Sequence, residues 1–308
     1  MNILIYGIGG VGGYFGGKLT KTNNHITFIA RGKHLDAVQK NGLQVSSYKG
    51  DFVAGPDLAT DDLSKIPTPD LVILGVKSWQ VPETIEALKP YVKPKTLFLP
   101  LQNGAANAEK ILEVLPNAQV LGGLCRIVAF KDGPGKIKHL TFEPSITFGE
   151  LDGSLSDRVK ALQELFQEAD FVGDLVENIQ VEIWKKFLFI CTISGIGGLT
   201  RVPMGKIRSS EYLFNMMKDT AQEIFNVAKA KGIALTEKHM ESVFEAIQNQ
   251  GADVTASTQR DIMEGKPSEL DNFNGYIVRE GKRLGVSVPV NELIYECLLP
   301  MEKEARKL

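Results

Sequence analysis

Cysteine is scarce in this chain: Cys125, Cys191 and Cys297 are the only three among 308 residues. They lie far apart with no C-x-x-C spacing, which argues against a disulfide framework or a thiolate metal site and fits a reducing cytoplasm. Histidine is equally sparse, at His25, His34, His139 and His239, with no H-x-x-x-H pair, so no metal is expected. The net charge is only −2, which gives no sign of nucleic acid or an acidic membrane surface as a partner. Long hydrophobic runs are missing too. The longest apolar stretch, residues 187–199, is too short for a bilayer, holds three glycines and follows Lys185-Lys186. It reads as a buried helix and the turn after it. The chain opens directly into a strand-like run, so no secretory leader is expected. What remains is an ordinary globular composition, 43% apolar and 23% charged, long enough for two domains.

The first half alternates strand and helix patterns. Strand-like runs fall at residues 3–6, 26–30, 70–76 and 96–101, and a hairpin is expected over 42–53 with its turn at Tyr48-Lys49-Gly50-Asp51. A helix pattern follows at 105–115, then strand candidates at 120–130, 137–142 and 146–149, with Pro134-Gly135 as a turn. Alternation of this kind predicts an α/β fold with a Rossmann-type doubly wound sheet. The second half changes to helical spacing, with helices expected over 214–231, 237–248 and 272–284. Ser268-Glu269-Leu270-Asp271 has the form of a capping box, with Asp in the last place, and would put Glu269 in the first turn of the helix it opens. The expected domains are residues 1–177, binding the nucleotide, and an all-helical 178–308. The crevice between two such domains is where ligands of open α/β sheets bind.

The most informative stretch is Gly7-Ile8-Gly9-Gly10-Val11-Gly12, directly after the first strand. Strand, G-x-G-x-x-G and then helix form the dinucleotide fingerprint. Gly7 permits the tight turn, Gly9 lets backbone approach a pyrophosphate, and Gly12 lets helix and strand come close. The anion rests on free N–H groups at the helix N-terminus. An NAD-preferring site carries a carboxylate at the end of the second strand. Here that place is Arg31, which repels no 2′-phosphate and can pair with one in a fork, so NADPH/NADP+ is the expected cofactor. The plainer reading of Arg31 is an exposed loop arginine. Lys33 reads as a surface lysine. Lys77, just past the strand at 70–76, reads equally well as a phosphate or substrate contact and as a solvated side chain.

These motifs, taken in order, resemble the ketopantoate reductase (2-dehydropantoate 2-reductase) family. The resemblance spans nearly the whole chain: the glycine loop, Arg31, Val76-Lys77-Ser78-Trp79-Gln80, Gln102-Asn103-Gly104, Trp184-Lys185-Lys186, Ser268 to Gly275, and Leu284 to Pro289. It implies NADPH-dependent reduction of a 2-oxo acid. It implies that Lys186 is the catalytic lysine, with Glu269 beside it. It also implies that Asn103, Ser257 and Glu269 line the substrate site, and Asn103 is expected to touch the cofactor as well. Residue chemistry agrees. Hydride delivery builds charge on a carbonyl oxygen, and a positioned ammonium stabilises that charge and donates the proton. An ionised Glu269 can accept a hydrogen bond from a substrate hydroxyl or hold the lysine. Composition and spacing alone do not choose between Lys185 and Lys186.

The sequence departs from the family in one place. The family lysine is followed four and eight residues later by asparagines; here those positions are Ile190 and Ser194, and a further asparagine falls near Met204. Ser194 therefore offers a hydroxyl to the substrate where the family offers an amide. Loss of amide groups weakens a pocket for a substrate rich in hydroxyl and carboxylate. Three readings follow: a 2-dehydropantoate reductase of pantothenate biosynthesis, a paralogous reductase of another small oxo acid, and a catalytically silent NADP(H)-binding sensor. A sensor has no need of Lys186 with Glu269. Helical second domains of this kind often pair, so a homodimer is considered, although no heptad seam is visible.

Overall fold

A computed structural model describes residues 1–308. The chain divides into two compact units, Met1–Asn103 with Asn107–Ile179, and Gly104–Ala106 with Gln180–Leu308.

In the first unit, strands β1 (Asn2–Tyr6), β2 (His25–Ile29), β3 (Leu43–Ser47), β4 (Phe52–Ala54), β5 (Leu58–Thr60), β6 (Leu71–Leu74), β7 (Leu97–Pro100), β8 (Gln119–Lys131), β9 (Lys136–Glu150) and β10 (Val172–Leu175) form one sheet. Its order is β4-β3-β9-β8-β7-β6-β1-β2-β5, with β10 on β9. Helices α1 (Gly10–Leu19), α2 (Gly32–Asn41), α3 (Val81–Leu88), α4 (Asn107–Val114) and α5 (Asp157–Glu168) connect the strands. The side-chain period of two sends alternate residues of β1 to opposite faces. Ile3 and Ile5 join a core with Phe15, Phe28, Ile73 and Leu99, while Leu4 and Tyr6 join another with Val72, Phe98, Ile85 and Ile111. The strands around the glycine turn are therefore apolar on both sides and parallel to their neighbours.

The sheet becomes mixed beyond β7, because β8 and β9 pair as a long antiparallel hairpin. The two short strands expected at 137–142 and 146–149 are one strand, β9. Arg126 faces Ser145 and Val128 faces Thr141, so Ile127 alone opposes Phe142, Glu143 and Pro144. The bulge absorbs the break that the sequence suggests. Phe142 turns to φ +67° there, and Pro144 has no N–H to give the ladder. The hairpin expected over 42–53 is the β3–β4 pair, with Gly50 at φ +115° in its turn.

The second unit holds the helices α6 (Ile179–Thr200, whose first residue belongs to the first unit), α7 (Met204–Arg208), α8 (Glu211–Ala230), α9 (Glu237–Gln248), α10 (Ser257–Met263), α11 (Asn274–Leu284) and α12 (Pro289–Arg306). The apolar run of 187–199 does not end in a turn: α6 continues through Gly195, Gly197 and Gly198. Neighbours crowd these glycines. A Cβ on Gly195 would meet the Asn274 amide at 2.9 Å, on Gly197 the Gln259 oxygen at 2.6 Å, and on Gly198 Ile262 at 2.9 Å. The glycines are sites of close approach for α10 and α11, which outweighs their low helix propensity. By length and composition α6 is apolar enough to cross a membrane, but 67% of that window is buried inside the protein.

The end of β9 is tied to α5 by charge. Arg158 donates to both oxygens of Glu150, at 2.6 and 2.5 Å, and the Ser156 hydroxyl adds a third donor at 2.5 Å. Arg158 holds the Glu150 carboxyl below its ordinary 4.5, against the opposing effect of burial. A depressed carboxylate contributes its full stability above the unfolded value and loses it as pH falls through the folded one. The urea midpoint is expected to drop on acidification from about pH 5 to about pH 3, and Glu150→Gln to flatten part of that slope. An identical slope in the variant contradicts this role.

Candidate active site

Three glycine backbones meet where β1 turns into α1. Gly7 stands at φ +92°, a conformation that favours glycine. A Cβ on Gly12 would lie 2.1 Å from the Gly7 oxygen, and one on Gly75, just past β6, would lie 2.5 Å from the same atom. A Cβ on Gly10 would strike the Ala129 oxygen of β8 at 2.1 Å. Gly9 differs: nothing lies within 4 Å of the place its Cβ would take. It is the N-cap of α1 with no side-chain cap, and the first turn holds no acidic residue. The first intrahelical bond runs from Gly13 N to Gly9 O at 2.8 Å, leaving the earlier N–H groups of the turn to an outside acceptor.

A cleft of about 370 Å³ opens beside this turn. Its wall includes Gly7, Ile8, Gly9, Arg31, His34, Gln80, Glu83 and Lys131. Arg31 ends the β2 edge as the exposed N-cap residue of α2. Arg31 and Lys131 outnumber the one carboxylate, Glu83, so the wall suits an anionic ligand. Lys131 and His34 escaped the sequence reading because neither belongs to the glycine motif; the β8–β9 hairpin and the start of α2 bring them in. Lys33 is exposed on α2. Lys77 and Asn103 are not part of this wall. Lys77 is exposed with its Nζ 5.5 Å from the centre of the Trp79 ring. Uncapped N–H groups, open space at Gly9 and a cationic wall fit a dinucleotide.

Asn103 follows β7 and is half-buried. Its loop is held by Asn107, a residue without a sequence signal. The buried Asn107 amide donates to the carbonyls of Gln102 (2.9 Å) and Asn103 (3.4 Å), and its oxygen accepts from the Ser78 hydroxyl at 2.8 Å. Lys110 donates to the same hydroxyl at 3.0 Å. Gln102 donates to the Leu74 carbonyl at 2.9 Å, while its buried Oε1 has no hydrogen-bond partner. The two segments past β6 and β7 are thus one hydrogen-bonded assembly.

In the second unit, Lys186 is half-buried on α6. Lys185 is committed to Glu182 one turn back, at 3.0 Å. Neighbouring helix residues point about 100° apart, so Lys186 faces elsewhere. Trp184 and Phe187 flank it, 5.5 Å apart in an edge contact, and Phe187 meets Phe273 and Tyr276 at 6.0 Å each. That aromatic cluster fixes the rotation of α6 against the start of α11. Ile190 lies one turn along the same stripe, half-buried, and Ser194 is fully buried beyond it. Met204 is buried at the start of α7. Ser257 is exposed in the first turn of α10, which reaches α6 through Gln259 and Ile262.

The expected capping box at Ser268 does not form. The helix begins at Asn274 with Phe273 as N-cap, and residues 268–273 are a turn bonded through the Glu269 carbonyl. Ser268 is taken by a different partner: its N–H and hydroxyl donate to the buried Glu302 carboxylate of α12 at 3.0 and 2.5 Å, and Arg306 donates to its carbonyl at 2.8 Å. Glu269 is therefore buried in a clamped turn, not in a helix first turn, and the helix dipole does not act on it. Asn274 is structural. Its amide donates to Asn291 at 3.0 Å, and Asn291 is bonded to Glu223 at 2.8 Å.

A largely parallel sheet whose first strand feeds an uncapped glycine turn, with an arginine closing the second, defines a Rossmann-class dinucleotide protein. Comparison with known proteins narrows that class. The family model described as ketopantoate reductase PanE/ApbA matches residues 3–153, and the model for its C-terminal part matches residues 178–302. The uncharacterized oxidoreductase YkpB of Bacillus subtilis is 32% identical over 304 residues, covering 99% of this chain and 100% of its own. A 2-dehydropantoate 2-reductase of a Nostoc species is 28% identical over 96% of this chain and 93% of its own. The crystal structure of 2-dehydropantoate 2-reductase from Methylococcus capsulatus superposes with a TM-score of 0.90 at 26% identity, covering 100% of this chain and 99% of that one. The chain belongs to the ketopantoate reductase family, a family of NAD(P)-dependent oxidoreductases.

Two glycines of the turn separate stability from binding. Gly12→Ala is expected to cost about 1–3 kcal/mol or more in urea unfolding, since its Cβ meets backbone. Gly9→Ala is expected to stay within about 0.5 kcal/mol of the parent while weakening dinucleotide binding, measured by cofactor fluorescence. Equal melting of the two variants contradicts the geometry.

Proposed function

We propose that this protein reduces a 2-oxo acid to the 2-hydroxy acid with NADPH, and that 2-dehydropantoate is its first substrate, a step of pantothenate biosynthesis in the cytoplasm. The uncapped α1 N-terminus, with open space at Gly9 and Arg31 on the same cleft wall, is the observation that carries the reading. The first turn of α1 takes the pyrophosphate, and Arg31 takes the 2′-phosphate in a fork. Lys77, outside that wall, contacts either a phosphate of the cofactor or the substrate. Residues 1–177 hold the cofactor and residues 178–308 supply the reacting groups. A bound NADPH supplies a hydride to the carbonyl carbon.

Lys186 then carries the acid role. Its ammonium stabilises the oxyanion and gives up one proton to it, leaving a neutral amine that solvent reprotonates. Glu269 accepts a hydrogen bond from a substrate hydroxyl or orients the lysine, and its clamped turn holds it for that task. Asn103, Ser194 and Ser257 bind the substrate's polar groups. A second reading, reduction of another, more apolar oxo acid, is favoured by Ile190 on the Lys186 stripe and by the buried Met204.

NADPH oxidation is followed by absorbance with 2-dehydropantoate and a panel of apolar 2-oxo acids. Turnover of at least one acid is expected, with a loss of roughly two or more decades in Lys186→Ala. Equal rates in that variant contradict the acid role. Turnover of the apolar acids without 2-dehydropantoate selects the second reading. Arg31→Asp is expected to move preference from NADPH toward NADH; an unchanged ratio contradicts the cofactor assignment.

A further inference from the structure

His34 sits in the first turn of α2, half-buried, with both ring nitrogens engaged by backbone. The Gly135 N–H, in the β8–β9 turn, points at Nδ1 from 2.9 Å. A backbone N–H can only donate, so Nδ1 is the unprotonated nitrogen. The ring proton is then on Nε2, which lies 3.0 Å from the Ile8 carbonyl and donates to it. Burial pushes the imidazole pKa below its ordinary value and the Lys131 charge acts in the same direction, against the Ile8 and Gly133 carbonyls, which raise it. The far partner is rigid as well. Gly135 stands at φ +68°, and a Cβ on it would meet Ala37, one turn along α2, at 2.8 Å. His34 is thus a neutral strut between the hairpin turn and the glycine loop.

The Ile8 carbonyl belongs to the peptide that ends in the Gly9 N–H. That peptide is trans, so its C=O and N–H point to opposite edges. Drawing the oxygen onto His34 keeps a negative dipole end away from an anion and commits the Gly9 N–H to the other edge. No side chain caps α1 and no acidic residue stands in its first turn, so no cap there sets this orientation.

We propose that His34, in its Nε2–H form, is a positioning residue for the dinucleotide, locking the Ile8–Gly9 peptide with its oxygen turned away from the phosphates. The proposal rests on the reading that a dinucleotide lies on the glycine turn. The strut acts on the pyrophosphate segment, common to both cofactors, so its loss weakens NADPH and NADH alike. Arg31, by contrast, acts on NADPH alone.

The test is dissociation constants for NADPH and NADH, by cofactor fluorescence, for the parent, His34→Leu and His34→Gln. His34→Leu is expected to weaken both cofactors by about tenfold, the scale of one hydrogen bond. His34→Gln keeps an amide donor within reach of Ile8 and is expected to recover most of that loss. Parent affinity in His34→Leu, or no recovery in His34→Gln, overturns the proposal. A parent protein that binds neither cofactor overturns the dinucleotide reading itself, and this proposal with it. Should the variants fail to fold, nitrogen NMR of the parent decides: Nδ1 is expected unprotonated and Nε2 protonated at neutral pH. A proton on Nδ1 overturns the strut.

Discussion

The contact on which the first unit depends is backbone against backbone. The Gly7 carbonyl is approached by Gly12 from α1 and by Gly75 from the end of β6, too closely for any side chain at either place. This contact sets how near α1 comes to the sheet, and so where its free N–H groups lie. Gly10 against β8 fixes the other flank. With those three approaches made, Gly9 is left over open space, and the proposed anion site is a by-product of packing. Arg31 enters the same cleft because β2 is the parallel neighbour of β1 and ends level with the turn.

The second unit solves a related problem with side chains. Small residues in the C-terminal half of α6 admit Asn274, Gln259 and Ile262, and an aromatic cluster grips its N-terminal half on either side of Lys186. Two buried carboxylates are paired through long-range contacts: Glu302 with Ser268, and Glu223 with the N-terminus of α12 and with the Asn291 side chain. The turn that carries Glu269 is shaped by those contacts rather than by a local cap. Placement of the proposed acid and carboxylate is thus a matter of packing.

Much of this was legible in the chain. The glycine motif, Arg31 and the shift from strand to helix spacing rest on local signals with a direct geometric meaning. The 42–53 hairpin was legible for the same reason. What the sequence hid was non-local. A pattern break at Phe142-Glu143-Pro144 looks like a strand end, and only pairing with β8 turns it into a bulge. Ser268-x-x-Asp271 satisfies a capping pattern, but the Ser268 hydroxyl accepts from the Leu270 N–H within a turn while donating to Glu302, far along the chain, and the helix starts only at Asn274. Glycines at 195, 197 and 198 look like a stop until their partners are known. His34, Asn107 and Lys131 act through backbone or cleft geometry that no spacing rule marks.

The central claim is that a dinucleotide lying on the glycine turn hands a hydride to a 2-oxo acid. Incubation with NADPH deuterated at the transferring position of C4, followed by mass spectrometry of the product, tests it most directly. The account predicts one deuterium in each molecule of 2-hydroxy acid, on the former carbonyl carbon. Unlabelled product, or none from any 2-oxo acid while the cofactor binds, would contradict it.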